Sequence, residues 1–273
     1  MYFITISEMI GTEGEKIARE VAQKMGYPYY GREELFKAAE EAGLLSDVQK
    51  MESKSPPLLE KYFSDKPRIY LDRFQSVVYD VAKKGNAVFL GKGSQLLLNS
   101  FECALHVLVI GGMEKRIKRV MEENKVEREV AEKIIQTSDH DKRGFLRYAF
   151  DREWLDPQLY DLVLNTDILG IDSAVNLVVV AAKSEEIKSC GMDAVKELGK
   201  LSLYRKVESA LLEAEIFHQH LFFEVVDIDS VRLFGVVNSS EEKGKVERML
   251  KKIKEIKNIK NDLLVATGSM SGI

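Results

Sequence analysis

Four short apolar segments alternate with longer amphipathic segments over the first two thirds of the chain. Segments this apolar are typical of strands that are buried on both faces, as in a parallel sheet covered by helices. The pattern therefore predicts an α/β fold, a doubly wound parallel sheet, over residues 1–186. The four predicted strands are residues 2–7, 86–90, 106–110 and 162–166.

The segments between these strands have helical periodicity. Apolar residues recur at helical spacing from Ile17 to Met25, so residues 12–25 are predicted to form an amphipathic helix that ends at Gly26. A strand, a loop and a helix in this order begin a βαβ unit, and ligands of such folds bind where the carboxyl ends of the strands meet. Further helices are predicted within residues 31–84, which Pro56-Pro57 and Pro67 interrupt, and at 114–124 and 171–182.

The last third of the chain has a different pattern. Residues 187–202 are predicted to be a linker, and a helix at 203–212 then precedes two strands, a basic helix from 240 to about 256, and a final strand. This α-β-β-α-β order predicts a small sheet with helices on one face. We therefore expect a separate α+β domain at residues 203–267, followed by a polar tail at 268–273.

Composition narrows the classes of function. The net charge is −4, so no nucleic-acid partner is expected. No segment reaches the ~18 apolar residues of a membrane span, and no secretion signal is recognised, so a cytoplasmic protein is expected. Cys103 and Cys190 lie far apart and are interpreted as small core residues rather than as a disulfide or a zinc site. No metal site is expected, because the His218-x-His220 pair alone is weak evidence.

A glycine loop joins the first strand to the first helix. Gly11, Thr12 and Gly14, with Lys16 after them, have the layout of a phosphate-binding loop. In such loops backbone N–H groups cradle a polyphosphate, while a lysine and a hydroxyl reach the terminal phosphates and Mg²⁺. The pattern G-x-x-x-x-G-K-[ST] is not met, because Glu15 follows Gly14 and the lysine comes one place late.

Acidic residues crowd the same loop. Glu8, Glu13 and Glu15 lie where an anion would dock, and only Lys16 opposes them locally. Like charges at short range weaken binding. The alternative is an ordinary helix N-terminus that Thr12 caps, with Glu13 and Glu15 favourably placed against the helix dipole. The loop alone favours neither interpretation.

Four segments of residues 2–182 together resemble the cytidylate-kinase-like family of P-loop proteins. The resemblance implies a P-loop sheet with helical insertions for a lid and for the acceptor. The segments are Ile4-Thr5-Ile6-Ser7 with its glycine loop, Tyr27-Pro28-Tyr29-Tyr30, Val88-Phe89-Leu90-Gly91-Lys92-Gly93, and residues 139–166 with Asp139-His140-Asp141-Lys142-Arg143, Arg147-Tyr148, Glu153-Trp154 and Tyr160-Asp161-Leu162-Val163-Leu164-Asn165-Thr166.

The resemblance implies ATP-dependent phosphorylation of a nucleoside monophosphate, CMP or dCMP, with Mg²⁺ bridging the phosphates. Such chemistry needs positioning and charge neutralisation rather than covalent work by the protein. Gly11, Thr12 and Gly14 would line the donor phosphates, with Lys16 as the catalytic cation. The residues implied for the acceptor are Gly91, Lys92, Gly93, Asp139 and Asp141.

Three basic residues are implied as a mobile lid over the transferring group. Lys142, Arg143 and Arg147 would be its catalytic cations, and ordinary surface arginines are the competing interpretation. Similar sequences usually read Ser-Arg-Glu-x-Gly-Ser-Gly-Gly in the first loop, where this chain has Glu8 for the arginine and Glu13 for a glycine. The main alternative is therefore a catalytically inactive relative that senses a nucleotide or another anion, and a third hypothesis is a scaffold without a nucleotide.

Residues 203–267 resemble a BON domain, a small α/β unit associated with binding phospholipid or other hydrophobic and protein surfaces. The hairpin centred on Asp229 and the strand Val231-x-Leu233-x-Gly235-x-Val237 carry this resemblance. It implies a membrane surface or a protein as the partner. The basic amphipathic helix fits an anionic membrane, and the alternative is a packed helix with a solvated lysine face.

Overall fold

The computed structural model describes residues 1–53, 66–216 and 220–266. The prolines Pro56-Pro57, His218 and the predicted tail lie outside the described residues. Two compact units are found. Unit 1 contains residues 1–45, 52–53 and 84–191, and unit 2 contains residues 46–51, 66–83, 192–216 and 220–266.

Unit 1 is built on a five-stranded sheet. Its strand order is β2-β3-β1-β4-β5, and every neighbouring pair is parallel. This confirms the predicted doubly wound α/β fold, and it adds β2, a short edge strand. The strands are β1 (Phe3–Glu8), β2 (Tyr29–Tyr30), β3 (Ala87–Leu90), β4 (Ala104–Ile110) and β5 (Leu162–Asn165).

Helices cover the sheet of unit 1. Ile6 and Val107 from the sheet pack with Val21 and Val178 from two helices, and all four are buried because the strands are apolar on both faces. The helices of the described residues are α1 (Gly14–Met25), α2 (Arg32–Glu41), α3 (Leu45–Ser53), α4 (Lys66–Ala82), α5 (Ser94–Leu97), α6 (Met113–Asn124), α7 (Arg128–Phe150), α8 (Ile171–Ala182), α9 (Met192–Glu213) and α10 (Ser240–Leu250), with a 3-10 turn at Pro157–Leu159.

Unit 2 contains α4, α9, α10 and a three-stranded sheet. The sheet order is β6-β7-β8, with β6 and β7 antiparallel and β7 and β8 parallel. Its core includes Val207 and Leu211 from α9, Leu233 from β7, and Val246 and Leu250 from α10, all of them buried. The predicted α-β-β-α-β order is found. Its strands are β6 (Leu221–Asp227), β7 (Ser230–Val237) and β8 (Asn258–Val265).

The predicted linker is largely helical. Helix α9 begins at Met192, so most of residues 187–202 belongs to it. Gly199 lies inside this helix, although glycine is a poor helix former. In the fold Gly199 is buried, and a Cβ there would come within 2.9 Å of the Ile228 side chain. Close packing therefore explains a glycine inside this helix.

The two cysteines form a disulfide, which corrects the prediction of two separate core residues. Cys103 and Cys190 are bonded across 87 residues, with their Cα atoms 5.4 Å apart. The chain start brings them together, because Phe3 N–H donates to the Cys103 carbonyl (2.8 Å) and Cys190 N–H donates to the Met1 carbonyl (3.1 Å). Because the N-terminal segment holds the two cysteines together, their spacing in the sequence does not indicate the disulfide.

Candidate functional site

The carboxyl ends of the strands of unit 1 gather the loops that carry the predicted site. The loop after β1 approaches the start of α6, which follows β4, because Arg116 of α6 donates through Nε to the Ile10 carbonyl (2.8 Å). The segment after β5 meets the same loop, where Thr166 Oγ1 donates to the Thr12 carbonyl (3.2 Å). The site therefore lies where the rules for parallel sheets place a ligand.

The glycine loop is fixed by its backbone conformation. Gly11 has φ +79°, and a Cβ there would lie 2.8 Å from the Arg116 carbonyl oxygen, so only glycine fits. Glu13 precedes α1 in the left-handed conformation (φ 61°) and makes no side-chain cap. The Thr12 hydroxyl donates to the Met9 carbonyl at 2.7 Å. The predicted cap by Thr12 is therefore wrong, whereas Glu15 lies in the first turn as that alternative expected.

The carboxylate of Glu8 lies over the start of α1. Its Oε2 accepts a hydrogen bond from Glu15 N–H at 3.2 Å, and the nearby Gly14 N–H helps to lower the pKa of the carboxyl group. A Cβ on Gly14 would lie 2.6 Å from that oxygen. Burial raises the pKa of Glu8, while Lys142 and the two N–H groups act in the opposite direction. A carboxylate thus uses amide groups that favour a phosphate in related loops.

Lys142 reaches the start of this loop from α7. Its Nζ donates to the Glu8 carbonyl oxygen at 2.6 Å and lies 5.4 Å from the centroid of the Trp154 ring. Trp154 is buried and donates to Ser7 Oγ at 2.9 Å. Burial lowers the pKa of Lys142, against the attraction of Glu8 and Asp139. Lys142 thus contacts the first glycine loop, and its role near the phosphates stays a prediction.

Lys16 lies differently. Its side chain is exposed, and it makes no hydrogen bond or ion pair with the described residues. Glu15, which precedes it, pairs with Arg19 at 2.9 Å on the outer surface of α1. Of the two lysines predicted to be catalytic cations, Lys142 contacts the loop and Lys16 does not.

Two arginines that sequence reasoning missed hold the loop. Arg116 is bonded by both guanidinium Nη atoms to Asp139, at 2.9 and 2.7 Å. Arg119 donates to the Gly11 carbonyl (3.2 Å) and lies 3.4 Å from Glu13. In the sequence, a charged helix with arginines three apart resembles a solvated surface. Only the position of this helix after β4 indicated that its arginines could lie at the site. Asp139, implied for the acceptor, is engaged in positioning α7.

The second glycine loop follows β3. Gly91, Lys92 and Gly93 have φ values of 66°, 61° and 73°, three left-handed residues in succession. A Cβ on Gly93 would lie 2.5 Å from the ring of Phe150, the last residue of α7. The charge of Lys92 contributes to lowering the pKa of Lys142, so both cations act on the same region.

The remaining lid residues lie at the surface of α7. Asp141 and Arg143 are exposed, and Arg147 donates to Glu153 at 2.7 Å. The structure therefore brings together Lys142, Lys92 and the first loop, and places Asp141, Arg143 and Arg147 outside that group. The described parts of the chain contain no cluster of three or more His, Cys, Asp or Glu side chains placed to hold a metal ion.

The fold and the glycine loops define the class as a P-loop kinase-like protein. The model of the cytidylate kinase-like family matches residues 3–168, more than half of the chain. The chain belongs to the cytidylate kinase-like family. The matched residues end at 168, so the family model does not cover the BON-like region. The resemblance of that region to a BON domain stays a prediction. No curated protein matches the chain.

Several solved structures are similar to this chain at low sequence identity. A protein from Eubacterium ventriosum ATCC 27560 is 18% identical with a TM-score of 0.55, covering 68% of this chain and 100% of that chain. A shikimate kinase from Bacteroides thetaiotaomicron is 12% identical (TM-score 0.40; 67% and 99% covered). A gluconokinase from Sinorhizobium meliloti 1021 is 13% identical (TM-score 0.43; 66% and 91% covered). The first similarity concerns the fold alone.

Proposed function

We propose that unit 1 binds a nucleotide and transfers a phosphoryl group from ATP to a nucleoside monophosphate, slowly compared with a kinase that has an intact P-loop. The observation that carries this is the approach of Lys142 to the first glycine loop. The ATP phosphates would lie on the amide groups of Gly14 and Glu15, and the acceptor at the loop that contains Lys92. CMP and dCMP are the acceptors that the family implies.

The charges explain why the reaction would be slow. Phosphoryl transfer depends on neutralising the transferring group, and Lys142 and Lys92 are the cations supplied here. The Glu8 carboxylate already accepts a hydrogen bond from the Glu15 N–H of the loop, and Lys16 is exposed. Mg²⁺, which the family also implies, fits poorly, because Thr12 is buried and its hydroxyl is turned into the loop toward the Met9 carbonyl.

Calorimetry and a coupled assay of ADP release test this proposal on the full chain. ATP and CMP are titrated separately, each with and without Mg²⁺, and ADP release is then followed with both present. We expect binding of both nucleotides and slow ADP release that requires CMP. Absence of binding at millimolar nucleotide would overturn the proposal and leave the scaffold hypothesis.

A nucleotide sensor without catalysis is the second candidate, and the position of Glu8 favours it. Tight ATP binding without ADP release would support it. Its output would pass through the BON-like region, whose proposed partner is an anionic membrane or a protein. Pelleting of the full chain with vesicles containing anionic lipid, against neutral vesicles as control, tests the membrane partner.

A cytoplasmic location is proposed because the substrates are nucleotides. Among the described residues, no helix has the length and apolar character needed to cross a bilayer. The Cys103–Cys190 disulfide is the observation against a reducing compartment, since disulfides persist mainly in oxidising ones. Labelling of free thiols in fresh cell lysate decides this. Labelling without added reductant supports the cytoplasm, and labelling only after reduction contradicts it.

A further inference from the structure

Glu8 occupies the amide groups on which the proposed nucleotide would place a phosphate. We infer that Glu8 is an internal competitor, so that a phosphate binds the first glycine loop only when the Glu8 carboxylate leaves it. This inference rests on the proposed function, and it adds that Glu8 lowers the affinity of the same site for a phosphate. It assigns to Glu8 a role in deciding which ligands the loop accepts.

The contact is not an ordinary helix cap. A capping side chain belongs to the N-cap residue or to the first turn, whereas Glu8 lies seven residues before the N–H group of Glu15 that it binds. The N-cap residue itself, Glu13, makes no capping bond, and its carboxylate lies 3.4 Å from Arg119. A side chain at the end of β1 thus provides a hydrogen-bond acceptor for the backbone at the start of α1.

The fit of Glu8 against the loop is close. A Cβ on Gly14 would lie 2.5 Å from the Glu8 Cβ and 2.6 Å from its Oε2. The absence of a side chain at Gly14 therefore gives the carboxylate the space that it uses. A phosphate oxygen needs that same space, so the two anions exclude each other by volume as well as by charge.

The groups that would receive a phosphate stay in place without the Glu8 side chain. Lys142 is bonded to the backbone carbonyl of Glu8, not to its carboxylate. Arg116 holds the Ile10 carbonyl, and its ion pair with Asp139 fixes α7 beside the loop. Rotation of the carboxylate outward would leave Lys142 and the amide groups facing the same space.

The competitor also differs from its acidic neighbours. Glu15 carries the same charge at the start of α1, yet its side chain is exposed and pairs with Arg19. A general effect of negative charge would make Glu8 and Glu15 equivalent. A competitor makes them different, because the Glu8 carboxylate lies on the amide groups and the Glu15 carboxylate does not.

Titration calorimetry with inorganic pyrophosphate and with ATP tests the inference on the full chain. The variants are Glu8→Gln, Glu8→Ala and the matched control Glu15→Gln, each checked for folding by its thermal unfolding. We expect Glu8→Ala, which removes both the charge and the volume, to bind each probe about tenfold more tightly or better, and Glu8→Gln, which removes the charge alone, to show a smaller gain. The control removes the same charge, and we expect its affinity to stay within about threefold of the unaltered chain.

Two other outcomes are distinguishable. If the unaltered chain and the Glu8 variants bind the probes equally, the competitor is ruled out and the proposed function stands. If none of them binds, the proposed function fails, and amide hydrogen exchange decides about Glu8. Faster exchange at Gly14 and Glu15 in Glu8→Ala, but not in Glu15→Gln, supports the contact, and unchanged exchange in both overturns it.

Discussion

Arg116 and Asp139 form a two-bond ion pair, with Nη1–Oδ2 at 2.9 Å and Nη2–Oδ1 at 2.7 Å. Arg116 is 4% exposed, and its Nε donates to the Ile10 carbonyl of the first glycine loop. One guanidinium therefore ties α6, α7 and the loop together. Planar two-bond recognition of this kind requires arginine, since lysine has no fork of donors.

Removal of either partner should destabilise unit 1. Breaking a buried ion pair leaves an uncompensated charge and costs about 3–5 kcal/mol. We expect a loss of this size in the free energy of unfolding for Arg116→Ala, measured by urea denaturation, and a clear loss for Arg116→Lys.

The Arg128–Glu114 pair supplies the control. It too is bonded through two nitrogens, at 3.0 and 2.6 Å, but both side chains are largely exposed. Exposed pairs contribute little because water and salt screen them. Arg128→Ala should therefore leave unfolding almost unchanged, and equal losses at Arg116 and Arg128 would contradict the assigned role of burial.

Lys142 and Lys16 should differ in their effect on phosphate binding. Lys142 contacts the loop, and Lys16 is exposed. We expect Lys142→Met to weaken ATP binding by roughly tenfold, the usual size of one charge-assisted contact. Lys16→Met should have a much smaller effect in the same calorimetric titration. A greater loss at Lys16 would mean that the start of α1 rearranges when the nucleotide binds.

Most of unit 1 could be predicted because local patterns define it. The four strands were found from apolar runs, and the end of α1 was found from Gly26, which has the left-handed conformation of a helix terminus (φ 66°). Such features depend on neighbours within a few residues. The family resemblance rests on similar local segments.

The features that escaped prediction depend on distant partners. Arg116 looks like a solvated residue until Asp139 is placed 2.7 Å away. Gly199 looks like a helix break until Ile228 packs against it. The sequence predicted only repulsion of an anion by Glu8, whereas its side chain accepts a hydrogen bond from the backbone at the start of α1. In each case a contact outside the local window overrides the local preference.

Gly93 should tolerate substitution less well than Gly91. Both have positive φ, so alanine at either position costs about 1–2 kcal/mol in backbone strain. Gly91 faces open space, whereas a Cβ at Gly93 would meet the Phe150 ring at 2.5 Å. Overpacking adds about 1–3 kcal/mol. Gly93→Ala should therefore lower the free energy of unfolding more than Gly91→Ala does, and Gly93→Ala combined with Phe150→Leu should recover part of the difference.

Asp72 should make the stability of unit 2 depend on pH near neutrality. Asp72 on α4 is 2% exposed, and burial together with the neighbouring Glu208 raises its pKa from 3.8 to about 7, against the pull of Arg205 and Arg68. A raised pKa means that the folded unit binds the proton more tightly than the unfolded chain does. The protonation of Asp72 stabilises the folded unit fully below pH 3.8, the pKa in the unfolded chain. As the pH rises, this stabilisation declines until the pH has passed about 7.

Thermal unfolding from about pH 5.5 to about pH 8.5, a window that spans the titration of Asp72, checks the sign. Asp72→Asn mimics the protonated form, so we expect it to stabilise unit 2 above neutral pH and to flatten the decline in stability with rising pH. Asp80 on the same helix is the control, because bonds from Lys206, Lys83 and Ser202 outweigh burial and lower its pKa. Asp80→Asn should destabilise at every pH in this range. A decline in the Asp72→Asn variant as steep as in the unaltered chain would assign the pH dependence to other groups.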